Sequence, residues 1–252
     1  MLKRERMFKI LEMINSQGIV TVNEIMENMK VSDMTVRRDL DELEKAGKVI
    51  RFHGGAQSIT HSIALELSHQ EKSKIEIEKK ERIAKVATSH IKEGETIFLG
   101  PGTTIEALAN QLLHKPIRVV TTNYSAFEAL RNSNVIDLIL IGGEYRKKTG
   151  TFVGPITNHH LINLKFTKAF ISANGIYNDA VSTSSIEEGE YQRIVLNNSR
   201  TKYLLADSTK LNKEDFYTFY NLSHLDYLMT DEALNKDVKA HYEQYVTVLV
   251  AN

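Results

Sequence analysis

The chain contains no cysteine, so a disulfide framework, a thiolate nucleophile and thiolate metal ligands are all excluded. It also carries no net charge. Lys+Arg and Asp+Glu each total 32, so no global field draws the molecule toward nucleic acid or an anionic membrane. Any binding to DNA must therefore use a local patch. No run approaches the roughly 18 apolar residues of a membrane-spanning helix, and Met1 to Lys9 is charged and helical in pattern, without the apolar core of a signal peptide. We expect a cytoplasmic protein with no membrane partner. The Walker lysine pattern, the GxGxxG fingerprint and an HExxH pair are all absent, and the nine histidines, His159-His160 included, are scattered. No metal and no cofactor is expected.

What is present is an ordinary globular composition, 42% hydrophobic and 25% charged, over 252 residues. The pattern divides into residues 1–57, a polar stretch of 58–75 without clear period, and an α/β texture over 76–252. In the first part, Met7, Ile10, Leu11 and Ile14 mark one face of a helix, and Val22, Ile25, Met26 and Met29 repeat the spacing in a shorter one. A third helix follows in VSDMTVRRDLDELEKAG, capped by Ser32 or Asp33 and ended by Gly47, with Val36, Leu40 and Leu43 as its buried stripe. KVIRFHGGAQS then reads as a hairpin joined at Gly54-Gly55.

Three helices and a hairpin suit a helix-turn-helix, in which the last helix lies in the major groove. Ser32, Met34 and Thr35 occupy the start of that helix and its solvent face. Arg37 and Arg38 can bond phosphates or guanine edges, and Arg51 and His53 on the hairpin can follow the adjacent backbone. Residues 1–57 hold 10 Lys+Arg against 9 Asp+Glu, a net of only +1. Asp39, Glu42 and Glu44 lie further along the helix, so positive charge gathers at its start. A non-DNA interaction module remains an alternative on these residues alone.

In the second part, helical segments alternate with TIFLG, IRVVTT, VIDLILIGG, AFISANG, KYLLADS, YLMTD and TVLV, implying a mostly parallel sheet with helices on both faces. Ligands of such sheets bind beyond the carboxyl ends of the strands. The ends here carry Gly100, Gly102, Thr103 and Thr104, then Thr122-Asn123, Gly142-Gly143, Ala173-Asn174-Gly175, Asp207 to Lys210, and Thr230-Asp231. The GPGTT loop can hold a phosphate at a helix N-terminus without a cation. Lys210 and Arg146 are further anion contacts, each weighed against a plain surface charge.

The run VSDMTVRRDLDELEKAGKVIRFHGGA resembles the signature of DeoR-family transcriptional regulators, and the resemblance extends along essentially the whole chain. It implies a winged helix-turn-helix over 1–57, a linker over 58–75, and a sugar-phosphate effector domain over 76–252 similar to ribose-5-phosphate isomerase and glucosamine-6-phosphate deaminase. By that analogy GPGTT holds the phosphate, while Asn123, Gly142, Gly143, Asn174, Glu188, Lys210 and Asp231 surround the sugar. FLGPGTTIEALANQL, FISANGI and EEGEYQRIVLNNS most resemble the repressors of lactose utilisation in Gram-positive bacteria, which implies tagatose 6-phosphate as inducer. The implied partners are operator DNA, a phosphorylated sugar and a second copy of the chain, as a dimer or a tetramer. The rival reading is a sugar-phosphate isomerase or deaminase with a regulatory head. Against it, Asn174 stands where many family members have an aspartate, and an amide is no general base.

Overall fold

Apolar residues three and four positions apart build three helices in residues 1–66, one of two units into which the chain divides; the other is 67–252. The computed structural model describes residues 3–17, 19–52, 54–58 and 67–251. The first unit runs α1 (Lys3–Gln17), β1 (Ile19–Thr21), α2 (Val22–Met29), α3 (Asp33–Lys45), β2 (Val49–Phe52) and β3 (Gly55–Ser58). Ile10 and Ile14 of α1, Ile25 of α2, and Val36, Leu40 and Leu43 of α3 meet in one core. Local chemistry fixes the boundaries. The Thr21 hydroxyl accepts from Glu24 N while the Glu24 carboxylate accepts from Thr21 N, a capping box that starts α2. Lys30, at φ 54°, ends it with a bond from its amide to Met26 O.

Two details differ from the sequence reading. The short strand β1 was not foreseen; it pairs with β3 to give the antiparallel order β1-β3-β2. The hairpin turn falls on Gly54, at φ +96°, whereas Gly55 already belongs to β3 opposite Phe52.

The second unit runs α4 (His69–Lys72), α5 (Ile77–Ser89), β4 (Thr96–Leu99), α6 (Thr103–Asn110), β5 (Arg118–Thr121), α7 (Tyr124–Leu130) and β6 (Asp137–Leu140). It continues with β7 (Glu144–Arg146), β8 (Thr151–Val153), α8 (Pro155–Leu161), β9 (Phe166–Ile171), β10 (Gly175–Tyr177), β11 (Ala180–Thr183) and α9 (Ile186–Asn197). Last come β12 (Ser199–Leu205), β13 (Tyr217–Asn221), β14 (Tyr227–Asp231), α10 (Lys236–Tyr242) and β15 (Thr247–Ala251). The seven apolar runs form one sheet in the order β15-β14-β12-β9-β4-β5-β6, with every adjacent pair parallel.

Alternation along the strands separates two cores. Ile97 and Leu99 face α5, α6 and α7, whereas Phe98 faces the side covered by α8, α9 and α10. The chain winds outward from β4 to β5 and β6, then restarts at β9 on the other side of β4. The strand order thus reverses between β4 and β9, where a crevice opens outside the strand ends. The hairpin β7–β8 and the antiparallel sheet β10-β11-β13 are additions that the sequence reading did not foresee.

Of the expected linker, residues 59–66 lie outside the described residues. Residues 67–75 belong to the second unit. Ser68 and Glu71 form a capping box for α4, His69 N donates to Lys148 O at 2.8 Å, and Lys80 Nζ donates to the carbonyls of Lys72 and Ile75 at 2.6 Å each. No helix among the described residues is long and apolar enough to cross a membrane.

Candidate functional site

In the first unit, the acids that dilute the charge of α3 are largely paired. Asp39 is almost wholly buried and takes two bonds from Arg6, Nε to Oδ2 at 2.5 Å and Nη2 to Oδ1 at 3.2 Å, which ties α1 to α3. Glu42 pairs with Lys3 and Asp41 with Arg51. The exposed face at the start of α3 then carries Ser32, whose hydroxyl lies 3.0 Å from that of Thr35, with Met34 at 65% exposure beside it. Ser32 is the N-cap by position but makes no side-chain capping bond. Arg37 is exposed and bonded to Asp33 at 2.6 Å; Arg38 is exposed and has no ion pair among the described residues. Arg51 is half-buried against Asp41, and its Nε has no partner among the described residues. His53 lies outside the described residues.

In the second unit, the strand-order reversal sets the loop after β4 beside the loop after β9. Gly100 N donates to Phe170 O at 2.9 Å, and Ser172 Oγ donates to Pro101 O at 2.8 Å. Gly102 precedes α6 at φ +104°, a conformation that requires glycine, and a Cβ there would also stand 2.2 Å from Ser172 Oγ. No side chain among the described residues caps α6. Ile105 N and Glu106 N both donate to Gly102 O, which leaves the amides of Thr103 and Thr104 without a partner among the described residues. Such an end favours an anion.

Two adjoining clefts meet at this point and share Lys72, Gly102, Thr103, Ser172, Ala173 and Asn174. One extends toward Thr149, Glu188 and Gln192, the other toward Thr104, Lys80, Asp207 and Lys210. Lys72 Nζ donates to Asn174 Oδ1 at 3.0 Å, and Asn174 Nδ2 donates to Ser184 Oγ at 2.7 Å. Glu188, on α9, is almost fully buried; it accepts from the hydroxyls of Thr149 and Thr151 and lies 3.6 Å from Arg146 Nη1. Burial holds the Lys80 ammonium below the ordinary lysine pKa, with Lys210 and Lys72 adding repulsion and Asp207 opposing it. Lys213 is lowered in the same direction, again by burial first and then by Lys210. The lysines around Asp207 thus form a cationic pole. A broader groove between α5 and α6 touches this region at Lys80 and Thr103, and charged chains of both signs such as Glu78, Glu81, Arg82 and Lys85 line it.

The structure therefore gathers Gly102, Thr103, Thr104, Asn174, Glu188 and Lys210, and sets the other candidates apart. Asn123 is fully buried and occupied: it caps α7 by accepting from Ser125 N and Ala126 N and donates to Gly100 O at 3.2 Å. It supports the GPGTT loop from behind. Gly143 packs where a Cβ would meet Thr157 Oγ1 at 2.0 Å, while Gly142 O accepts from the same hydroxyl; neither lines the clefts. Asp231 is fully buried and accepts from Ser208 N at 2.6 Å, Ser208 Oγ at 3.0 Å and Ala233 N at 3.0 Å, so it holds the turn that carries Lys210. Arg146 stands behind the cleft wall, donating to Thr149 Oγ1 at 3.3 Å and lying 3.6 Å from Glu188 Oε1.

A model described as the DeoR-like helix-turn-helix domain matches residues 6–62, and one described as the DeoR C terminal sensor domain matches residues 75–232. The chain belongs to the DeoR family. Among its relatives, the lactose phosphotransferase system repressor of Lactococcus lactis subsp. lactis is 44% identical over 99% of this chain and 99% of its own. That of Streptococcus mutans is 46% identical over 92% of this chain and 93% of its own. Among solved structures, ribose 5-phosphate isomerase A from Methanocaldococcus jannaschii gives a distant likeness, with TM-score 0.39 and 19% identity over 52% of this chain and 53% of that one. The architecture stands on the strand order instead.

As a DeoR-family member the protein is a transcriptional regulator and not an enzyme. Its cleft includes residues that the sequence reading missed. His69, Lys72 and Lys80 come from a stretch taken as linker or from the helix just after it, and Ser172, Thr149 and Gln192 carry no local motif. The one available signal was the charge density of QEKSKIEIEKK, which reads equally well as a solvated face.

Proposed function

We propose that this DeoR-family regulator represses a sugar-utilisation operon and releases its operator when a phosphorylated sugar enters the cleft of the second unit. The observation that carries the proposal is the opening of α6: two unpartnered amides behind an obligatory glycine, with Lys72 and Lys210 on the same walls. Backbone amides and ammonium groups together suit a phosphate dianion. Asn174 and Glu188, further along the joined clefts, offer hydrogen bonds to hydroxyls rather than a second cationic pole.

Tagatose 6-phosphate is the effector we favour, and lactose and galactose breakdown the pathway, because the close relatives are lactose phosphotransferase system repressors. On the operator side, α3 enters the major groove with Ser32, Met34, Thr35, Arg37 and Arg38, and the β2–β3 hairpin acts as a wing with Arg51 and His53 near the backbone. Two copies at least are required to match a two-fold operator. Fluorescence anisotropy of labelled operator tests this proposal. Tagatose 6-phosphate should dissociate the complex at concentrations where galactose 6-phosphate and inorganic phosphate do not; no response to any sugar phosphate would overturn the sensor reading.

A further inference from the structure

Gln192 lies on α9 one turn beyond Glu188, on the cleft wall shared with Thr149, Asn174, Gly102 and Thr103. Its side chain is at 0% exposure, and neither Oε1 nor Nε2 has a hydrogen-bond partner among the described residues. Its neighbours differ from it in this respect. Glu188 is served by two threonine hydroxyls, and Asn174 by Lys72 and Ser184. Buried polar groups in folded proteins are nearly always paired, and a primary amide brings two donor hydrogens and an acceptor. An apolar side chain of the same shape would pack there without that penalty. An amide facing a ligand cleft is therefore explained best by the ligand itself.

We infer that Gln192 is the specificity-determining residue of this cleft, reading hydroxyls of the phosphorylated ligand at the end remote from the phosphate. The inference rests on the sugar-phosphate reading above. With the phosphate at the amides of Thr103 and Thr104, the sugar extends along the cleft toward α9. There the Gln192 amide donates to one hydroxyl and accepts from another, while the Glu188 carboxylate can only accept. An epimer whose hydroxyl points elsewhere leaves the amide unpaired, and a site built to bond a hydroxyl rejects such an analogue far better than an apolar pocket can. The ligand class is thus a polyhydroxylated monophosphate, selected by configuration.

The test is calorimetric titration of the full-length protein and its Gln192→Met variant with tagatose 6-phosphate, its C4 epimer fructose 6-phosphate, and inorganic phosphate. Gln192→Met should weaken the preferred hexose phosphate by about tenfold or more and bring the affinity ratio of the two epimers toward one, with the loss confined to the sugars. Gln192→Asn, which withdraws the amide by one methylene but keeps its polarity, should give the same collapse and serves if the Met variant fails to fold. An unchanged epimer ratio in a folded variant, as when a water alone satisfies the amide, overturns the inference and leaves the sugar-phosphate reading standing. Wild-type protein that binds neither hexose phosphate overturns both.

Discussion

Lys72 Nζ donates to Asn174 Oδ1 at 3.0 Å, joining residues 102 positions apart in the chain and placing an ammonium at the junction of the two clefts. The bond matters because α4 is only four residues long and depends on its Ser68–Glu71 capping box and the Lys80 bonds for its place. At the proposed phosphate site, replacing Lys72 with Met removes a charge-assisted contact. Sugar-phosphate affinity should fall by about tenfold or more, while operator affinity in the absence of sugar stays near wild type. Parallel calorimetric and anisotropy titrations measure the two. Full sugar affinity in the variant would place the phosphate elsewhere.

The arginines of α3 should separate. Arg37 already bonds Asp33 at 2.6 Å, whereas Arg38 is exposed with no ion pair among the described residues. Arg38→Ala should weaken operator binding by about ten- to a hundredfold if its guanidinium reads a base, and Arg37→Ala by less, because releasing Asp33 offsets part of its contact. Neither change removes a core contact, so the melting temperature should hold. Unchanged operator affinity in both variants would remove α3 from the groove.

Binding of the sugar phosphate should depend on pH in a signed way. Lys80 and Lys213 are held below the ordinary lysine value of 10.5, chiefly by burial. In the free protein they shed protons earlier than an unfolded chain would, so stability contributed by these two groups rises with pH across that window. Ligand binding has the opposite sign. A phosphate favours the charged ammonium and raises its pKa, so as pH rises through the lowered lysine range binding should take up protons and affinity should decline. Titrations in buffers of different ionisation enthalpy read this uptake directly; proton release at alkaline pH would exclude Lys80 and Lys213 from the phosphate's field.

Much of the scaffold was legible because long-period signals are robust. All seven apolar runs became strands of the main sheet, and Val36, Leu40 and Leu43 became the buried stripe of α3. Strands β7, β8, β10 and β11 are as short as β4 to β6 but lack the continuous apolar run that marks those. The site was harder to read. Gly102 was singled out as part of a glycine-rich turn before a helix and does line the clefts, yet Gly143 was singled out on the same ground and packs closely against Thr157 instead. Asn123 and Asp231 sit at strand ends, as ligand residues would, but spend their bonds on a helix cap and a turn. Lys72, Lys80 and Gln192 are cleft residues by tertiary placement alone, which no spacing rule reports.

The proposed ligand cleft and DNA surface lie on different units and should share one free-energy cycle. The direct measurement is calorimetric titration of tagatose 6-phosphate into the free protein and into its complex with operator DNA. If the sugar weakens operator binding by about 10- to 100-fold, operator must weaken sugar binding by the same factor, a coupling of about 1.4 to 2.8 kcal/mol. That matched loss is the expected result. Sugar binding of equal strength in the two titrations would contradict it.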